Sequence, residues 1–443
     1  MRRLFPALWL SPRGVWVLLG LAALTAIASV VAWLGIVVYF GCAALIAALL
    51  ADVRLGPSSK TLRVTRQPLE PLALRRPGRV VYTVENRSAS AVRVGLFETP
   101  LAAIDFDRES VIGTIPAHAQ ATLHQGLLAR ERGLVHFGTI YAWAENGLGL
   151  LRRRFAIPAA AEARVFPDLS AVEGYGTLAR RKTLLEQGLR RLRLRGVGSE
   201  FESIREYATG DAFRSIDWKA SARRGRLMVQ QYEIERSQHV IVVLDCGRIM
   251  TPRIGPQRKF DYALTAGLSV ARVAQAADDN VGLLAFGAKP VLSIAPRRGE
   301  AHIAALARAS YDLQPRMEEP DYERLFTELK NRNSKRSLIV FFTDIFDPVT
   351  SASVLAGLAR LVRRHVVLCV LMNDAAIASA LASEPVTADD AYRASVAMRL
   401  ADERATAIAQ LRALGIIVVD VPAAQLTVAL LDAYLEVKAR GKI

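Results

Sequence analysis

The chain has 443 residues, with 58 Lys and Arg against 42 Asp and Glu, a net charge of +16 and three cysteines. Cys42 lies in an apolar run, and Cys246 and Cys369 lie in or beside apolar strand-like runs. So few thiols exclude a disulfide-stapled secreted scaffold. The positive balance invites a nucleic-acid reading, yet no zinc-finger or RNA-recognition signature is present and nucleic acid is not an expected partner. The anionic cytoplasmic leaflet is the nearer partner, at about 1 kcal/mol per Lys or Arg held close to it.

Gly14 to Ala51 contains no Asp, Glu, Lys, Arg or His. As one straight helix it would reach about 57 Å, against a hydrocarbon core of about 30 Å. Two short spans, Val15–Val31 and Ile36–Ala51, fit better, with a turn at Ala32-Trp33-Leu34-Gly35. Arg2, Arg3 and Arg13 precede the run, and Arg54, Lys60, Arg63 and Arg66 follow it. Positive charge at both ends predicts a hairpin over residues 1–55 in the inner (cytoplasmic) membrane, with the soluble domains cytoplasmic. The alternatives are a cleaved signal peptide, for which the run is too long, or one tilted span that exports residues 55–443.

Residues 60–165 read as β. Short segments at Val80–Val84, Val92–Phe97, Leu134–Trp143 and Arg154–Ile157 are broken by Gly, Pro and Asn turns. A β-sandwich of about one hundred residues fits. His118, His124 and His136 follow no metal-ligand spacing, so a binding or spacer module is expected. Residues 166–236 form a basic connector. Leu178–Arg195 is dense in Arg and Leu and reads as a solvated helix face or a stretch resting on anionic lipid. Gly196–Trp218 is polar, with turn signals at Gly198-Ser199 and Gly210-Asp211, and too poor in apolar residues for a core of its own.

Residues 237–443 alternate strand and helix. Strands are expected at His239–Asp245, Val281–Phe286, Val291–Ala295, Leu338–Thr343, Val366–Leu371 and Ile416–Val421. Helices are expected at Lys259–Ala277, His302–Tyr311, Tyr322–Asn331, Ser351–Arg363, Asp389–Leu414 and Ala424–Lys438. Such alternation predicts a doubly wound, mostly parallel sheet with helices on both faces. Asp245 and Asp344 end two of the strands, at the edge where such sheets build sites. Two carboxylates there suit a hard cation such as Mg²⁺; equally, an Asp at a strand end caps a loop or binds Arg.

Gly198-Ser199-Glu200-Phe201-Glu202, Ile204-Arg205-Glu206-Tyr207, Gly210-Asp211, Arg214, Ile216-Asp217-Trp218-Lys219 and Ser221-Ala222-Arg223, continued by Leu227–Arg236 and Val240–Met250, resemble the signature of the domain of unknown function 58 family. The resemblance implies a membrane hairpin, a β-rich domain, a C-terminal von Willebrand factor A-like α/β domain, and association with MoxR-type AAA+ ATPases. In von Willebrand A domains the metal sits on Asp-x-Ser-x-Ser, a distant Thr and a late Asp. Here the first string is Asp245-Cys246-Gly247-Arg248-Ile249, which keeps only its Asp. Asp344 matches the late Asp, and Thr343 or Thr251 is the nearest hydroxyl. With two oxygens missing and a soft thiol beside the Asp, no cofactor and no stable Mg²⁺ site are expected.

Arg205, Asp211, Arg214, Asp217, Trp218 and Lys219 alternate sign within fifteen residues. They read as a charge-paired connector anchored on the A-like domain by Trp218, or as a docking face for a partner. No G-x-x-x-x-G-K-[ST], H-E-x-x-H or G-x-S-x-G string is present, so no enzyme is expected. The expected function is a membrane-anchored scaffold working with a MoxR-type AAA+ ATPase in chaperone or complex-assembly activity. The alternative is an extracytoplasmic, metal-dependent adhesion-type binding protein.

Overall fold

The computed structural model describes residues 8–31, 33–58, 61–170, 200–209, 211–233, 238–332, 335–344, 348–373 and 375–440. They fall into two compact units, Met1–Phe166 and Pro167–Ile443. The Arg-rich stretch 178–195, Gly198-Ser199 and Gly210 lie outside the described residues.

The first unit opens with strand β1 (Leu8–Leu10) and helices α1 (Pro12–Ala28) and α2 (Leu34–Leu55), which pack on each other. Among the described residues only α2 is both long and apolar enough to cross a membrane; α1 is apolar but has 17 residues. The helix limits differ from the expected spans, and local chemistry explains why. Ser11 caps α1 by accepting the Gly14 N–H at 2.9 Å, and Pro12 follows at the first helical position, so α1 begins before Val15. Leu34, expected in the turn, opens α2 instead, and α2 runs on through Asp52 and Arg54. Asp52 is buried because its carboxylate has work: it accepts the N–H groups of Leu150 and Leu151 at 3.0 and 2.7 Å. Gly14 is required where it stands, since a Cβ there would collide with the Leu150 carbonyl.

Eleven more strands complete this unit: β2 (Leu62–Arg66), β3 (Leu72–Ala73), β4 (Pro77–Asn86), β5 (Val92–Glu98), β6 (Ile104–Phe106), β7 (Val111–Ile115), β8 (Gln120–Ala129), β9 (Gly133–Phe137), β10 (Ile140–Glu145), β11 (Leu151–Ile157) and β12 (Ala161–Phe166). Among the described residues they form sheets ordered β1-β11-β10-β5-β7, β2-β4-β8-β6 and β3-β12-β9. Alternate residues of these sheets, such as Val92, Val94 and Leu96 of β5 and Val80, Tyr82 and Val84 of β4, meet in one core. The expected single segment Leu134–Trp143 is two strands, because the chain leaves one sheet after Phe137 and enters another at Ile140.

In the second unit β13 (Glu200–Glu206) and β14 (Met228–Glu233) pair as a hairpin around helix α3 (Trp218–Arg224). Though the segment is polar by sequence, strand pairing and caps are joined by apolar burial at Ile216, Met228 and Val229. A six-stranded sheet follows: β15 (His239–Asp245), β16 (Asn280–Phe286), β17 (Pro290–Arg297), β18 (Ser337–Phe342), β19 (Val366–Asn373) and β20 (Ile417–Pro422), in the order β17-β16-β15-β18-β19-β20. All neighbours are parallel except the β16–β17 hairpin at one edge. Helices α4 (Lys259–Ala276), α5 (Glu300–Ser310) and α10 (Leu426–Ala439) fill one face through Phe260, Leu306 and Tyr434. Helices α6 (Tyr322–Arg332), α7 (Pro348–Val362) and α9 (Ala388–Ala413) fill the other through Phe326, Leu358 and Leu411. Gly357 lets α7 approach α6, because any Cβ would enter the Phe326 ring. Helix α8 (Ala375–Ala382) was not expected from the sequence.

Candidate functional site

Parallel pairing of β15 with β18 brings their carboxyl ends side by side, which places Asp245, Thr343 and Asp344 at one sheet edge. Asp245 is fully buried. Its Oδ1 accepts the Gly247 N–H at 2.7 Å. Its Oδ2 accepts the Tyr322 hydroxyl at 2.8 Å and the Thr343 hydroxyl at 2.9 Å. Burial pushes this carboxyl up to about 6, against the three hydrogen bonds that favour its charged form. The Tyr322 hydroxyl is raised too, first by burial and then by the Asp245 charge.

Asp344 meets cations already present in the chain. Lys259 Nζ reaches its Oδ2 and Arg404 reaches its Oδ1, both at 2.6 Å. The Lys259 and Asp344 side chains are 2% and 0% exposed. Arg404 also reaches Asp420 on β20 at 2.7 Å. Burial pulls the Arg404 guanidinium down, and the Asp344 and Asp420 charges more than offset it, leaving it raised. Buried Cys369 is pushed up to about 12, by burial and then by the Asp344 charge, so it is an inert thiol.

This donor set does not fit Mg²⁺. An octahedral cation needs open oxygens, and here both Asp344 oxygens hold a cationic side chain while both Asp245 oxygens hold N–H or O–H donors. Thr251, the other candidate hydroxyl, donates to the Arg248 carbonyl instead. No group of three or more His, Cys, Asp or Glu side chains suited to a metal occurs among the described residues. The pair Asp245 and Asp344 is a packed polar junction.

Sequence reasoning missed Lys259, Tyr322, Arg404 and Asp420. Two signals were legible. Lys259 opens a helix beside Phe260 on the face that is buried, and Arg404 shares a helical stripe with Ala407, Ile408 and Leu411. A cation on an apolar stripe asks for a buried acid.

The motif residues form a second, exposed arrangement. Arg205 grips Asp211 with both terminal nitrogens, at 2.7 and 2.5 Å, and Asp211 also accepts the Ala208 N–H at 2.8 Å. The Arg205 bonds hold the Asp211 carboxyl below its ordinary value. Asp217 caps α3, accepting the Ala220 N–H at 3.0 Å, and takes the Gln230 side-chain amide at 2.8 Å. The cap bond, then the Gln230 bond, hold its carboxyl low as well. Ser221 donates to the Asp217 carbonyl and accepts the Met228 N–H, tying α3 to β14.

On this frame Arg214 and Lys219 point to solvent. Trp218 corrects one expectation: it does not anchor the segment on a neighbouring domain but is 58% exposed. Its ring meets that of Phe213, itself 72% exposed, edge-on at 5.5 Å. Two large aromatic rings beside exposed cations make a surface suited to protein recognition.

The two arrangements define a mixed α/β protein with a sealed ionic junction at its sheet edge and an aromatic, basic motif at its surface. Residues 203–407 match the family model described as "Protein of unknown function DUF58", the family that the Arg205–Arg223 string resembles. The uncharacterized protein YeaD of Bacillus subtilis is 44% identical over 43 residues, covering 10% of this chain and 11% of that one. The uncharacterized protein Rv1480 of Mycobacterium tuberculosis is 24% identical over 181 residues, covering 40% of this chain and 56% of that one. The matched stretches thus span from about a tenth to just over half of these relatives' length. Among solved structures, the ASH/PapD-like domain of human CEP192 is 11% identical, covering 25% of this chain and 89% of that one at a TM-score of 0.20. A likeness at that score carries no argument.

Proposed function

We propose that this chain is a membrane-anchored interaction protein whose second unit is a metal-independent, von Willebrand factor A-like domain presenting the Phe213–Trp218 motif to a MoxR-type AAA+ ATPase. Under this reading α1 and α2 form a two-span hairpin, both units are cytoplasmic, and the chemical work belongs to the ATPase. The strand order, with β15 central and one antiparallel edge, supports the A-like reading. The ATPase partner comes from the family resemblance.

The observation that carries the proposal is the exposed aromatic pair on a segment held by its own ion pair and cap. A residue kept for folding would be covered, and these two are not. The adhesion alternative needs a cation on open oxygens, and the junction at Asp245 and Asp344 offers none.

The test is Trp218→Ala in the full chain, purified from membranes in detergent with nucleotide present. We expect an unchanged unfolding midpoint and loss of the co-eluting AAA+ ATPase. A variant that keeps the ATPase, or a wild-type chain that never elutes with one, ends the proposal.

A further inference from the structure

The first unit's helices and sandwich are tied together at one level. The Ser11 N–H donates to the Leu150 carbonyl at 2.9 Å, and the Ser11 hydroxyl bonds the Gly149 carbonyl. Asp52 takes the next two N–H groups, of Leu150 and Leu151. Arg153 donates to the carbonyls of Val53 and Pro57, at 3.1 and 3.0 Å, closing the end of α2. From this level to the turn, α1 rises about 26 Å and α2, from Leu34 to Asp52, about 28 Å. Either rise nearly matches a hydrocarbon core of about 30 Å, beyond which lies a headgroup layer of roughly 5–8 Å per side. Strand β1, antiparallel to Leu151–Arg153, runs on from that level for about 7–10 Å. On the two-span reading of the preceding section, on which this inference rests, β1 lies in the headgroup layer.

What the strand and its neighbours display suits that layer. Leu8, Trp9 and Leu10 are all more than two-fifths exposed. The Arg154 guanidinium lies 4.3 Å over the Trp9 ring, and Arg152 lies 4.2 Å over Trp143. Stacking holds the exposed Arg154 fork flat, ready for bidentate contact with a phosphate, whereas Arg152 is already paired with Glu145. Arg13 and Arg54, at the ends of the two helices, are exposed. The acids near them are consumed: Glu145 is buried against Arg152, and Asp52 is bonded to backbone. Trp at an interface beside Arg is the pattern of a protein surface seated on lipid.

We infer that Trp9, Arg13, Arg54 and Arg154 form a seat for the phosphate headgroups of anionic bilayer lipids, fixing the sandwich directly on the membrane surface.

The experiment uses the full chain in nanodiscs of equimolar phosphatidylglycerol and phosphatidylcholine, with retained lipid counted by native mass spectrometry. The wild type should keep phosphatidylglycerol in preference. Arg13→Gln with Arg154→Gln, both exposed positions, should lower that preference about thirtyfold with an unchanged unfolding midpoint in detergent. Arg363→Gln with Arg412→Gln, the same charge change on the second unit, should keep it. No preference in the wild type, or a preference that survives the first double variant, overturns the seat. Alkaline carbonate extraction separates the two readings. A chain that washes off the membrane ends the spanning proposal and the seat with it, whereas a chain that resists carbonate yet shows no lipid preference ends the seat alone.

Discussion

Lys259–Asp344–Arg404 and Arg205–Asp211 are the same chemistry at opposite burials. In the first, an aspartate and two cations are sealed where α4, α9 and β18 converge, at 0–9% side-chain exposure. In the second, a bidentate pair lies at the surface, with Arg205 at 43%. The contrast teaches what each is for. A buried cluster is costly to form and far more costly to break, because removing one partner strands a charge away from water. An exposed pair contributes little to stability, so its place in the motif is to shape a surface.

The largest effect should come from the sealed cluster. Lys259→Ala leaves Asp344 buried with one cation, and we expect a loss of about 3–5 kcal/mol in urea unfolding. A shift below 1 kcal/mol would put this cluster in the same class as the surface pair.

Next is the acid beside it. The folded Asp245 carboxyl sits near 6, above its ordinary 3.8, so folding favours its protonated form. Its contribution is fully present below about pH 4 and is lost as pH rises through about 6, a swing of about 3 kcal/mol. Asp245→Asn lacks that swing, so the difference between the two proteins' stabilities should change by about 3 kcal/mol from pH 4 to 8. A pH-independent difference would mean that Asp245 is charged throughout.

The smallest effect sharpens the comparison from the other side. Arg205→Ala should leave the unfolding midpoint of the purified chain where it was, while the midpoint of Lys259→Ala falls. A comparable fall in both would show that the motif is folded into the core after all.

Much of the second unit was legible in sequence because its signals are local. Apolar runs such as Val366–Leu371 and amphipathic periods such as Lys259–Ala277 report their own burial. The limits expected for these two elements lie within two residues of the observed ones. Asp245 and Asp344 were placed at the sheet edge for the same reason. Their partners were not foreseen, since Lys259 lies 85 residues from Asp344 and Arg404 lies 60 residues from it. The motif was recognised as a string, and its fold was not: the α3 helix capped by Asp217 was not foreseen, and the exposure of Trp218 depends on what fails to cover it.

The sequence by itself determined the apolar N-terminal run, the β-rich and α/β halves, and the carboxylates at the strand ends. Hydrophobic period and turn residues act over a few positions, and each can be read where it stands. Only the tertiary structure decided that Asp344 meets an ammonium and a guanidinium, that Asp52 ties α2 to β11, and that two aromatic rings stay in water. Those outcomes depend on which distant segments the packed core brings within hydrogen-bond reach, and on which surfaces it leaves bare.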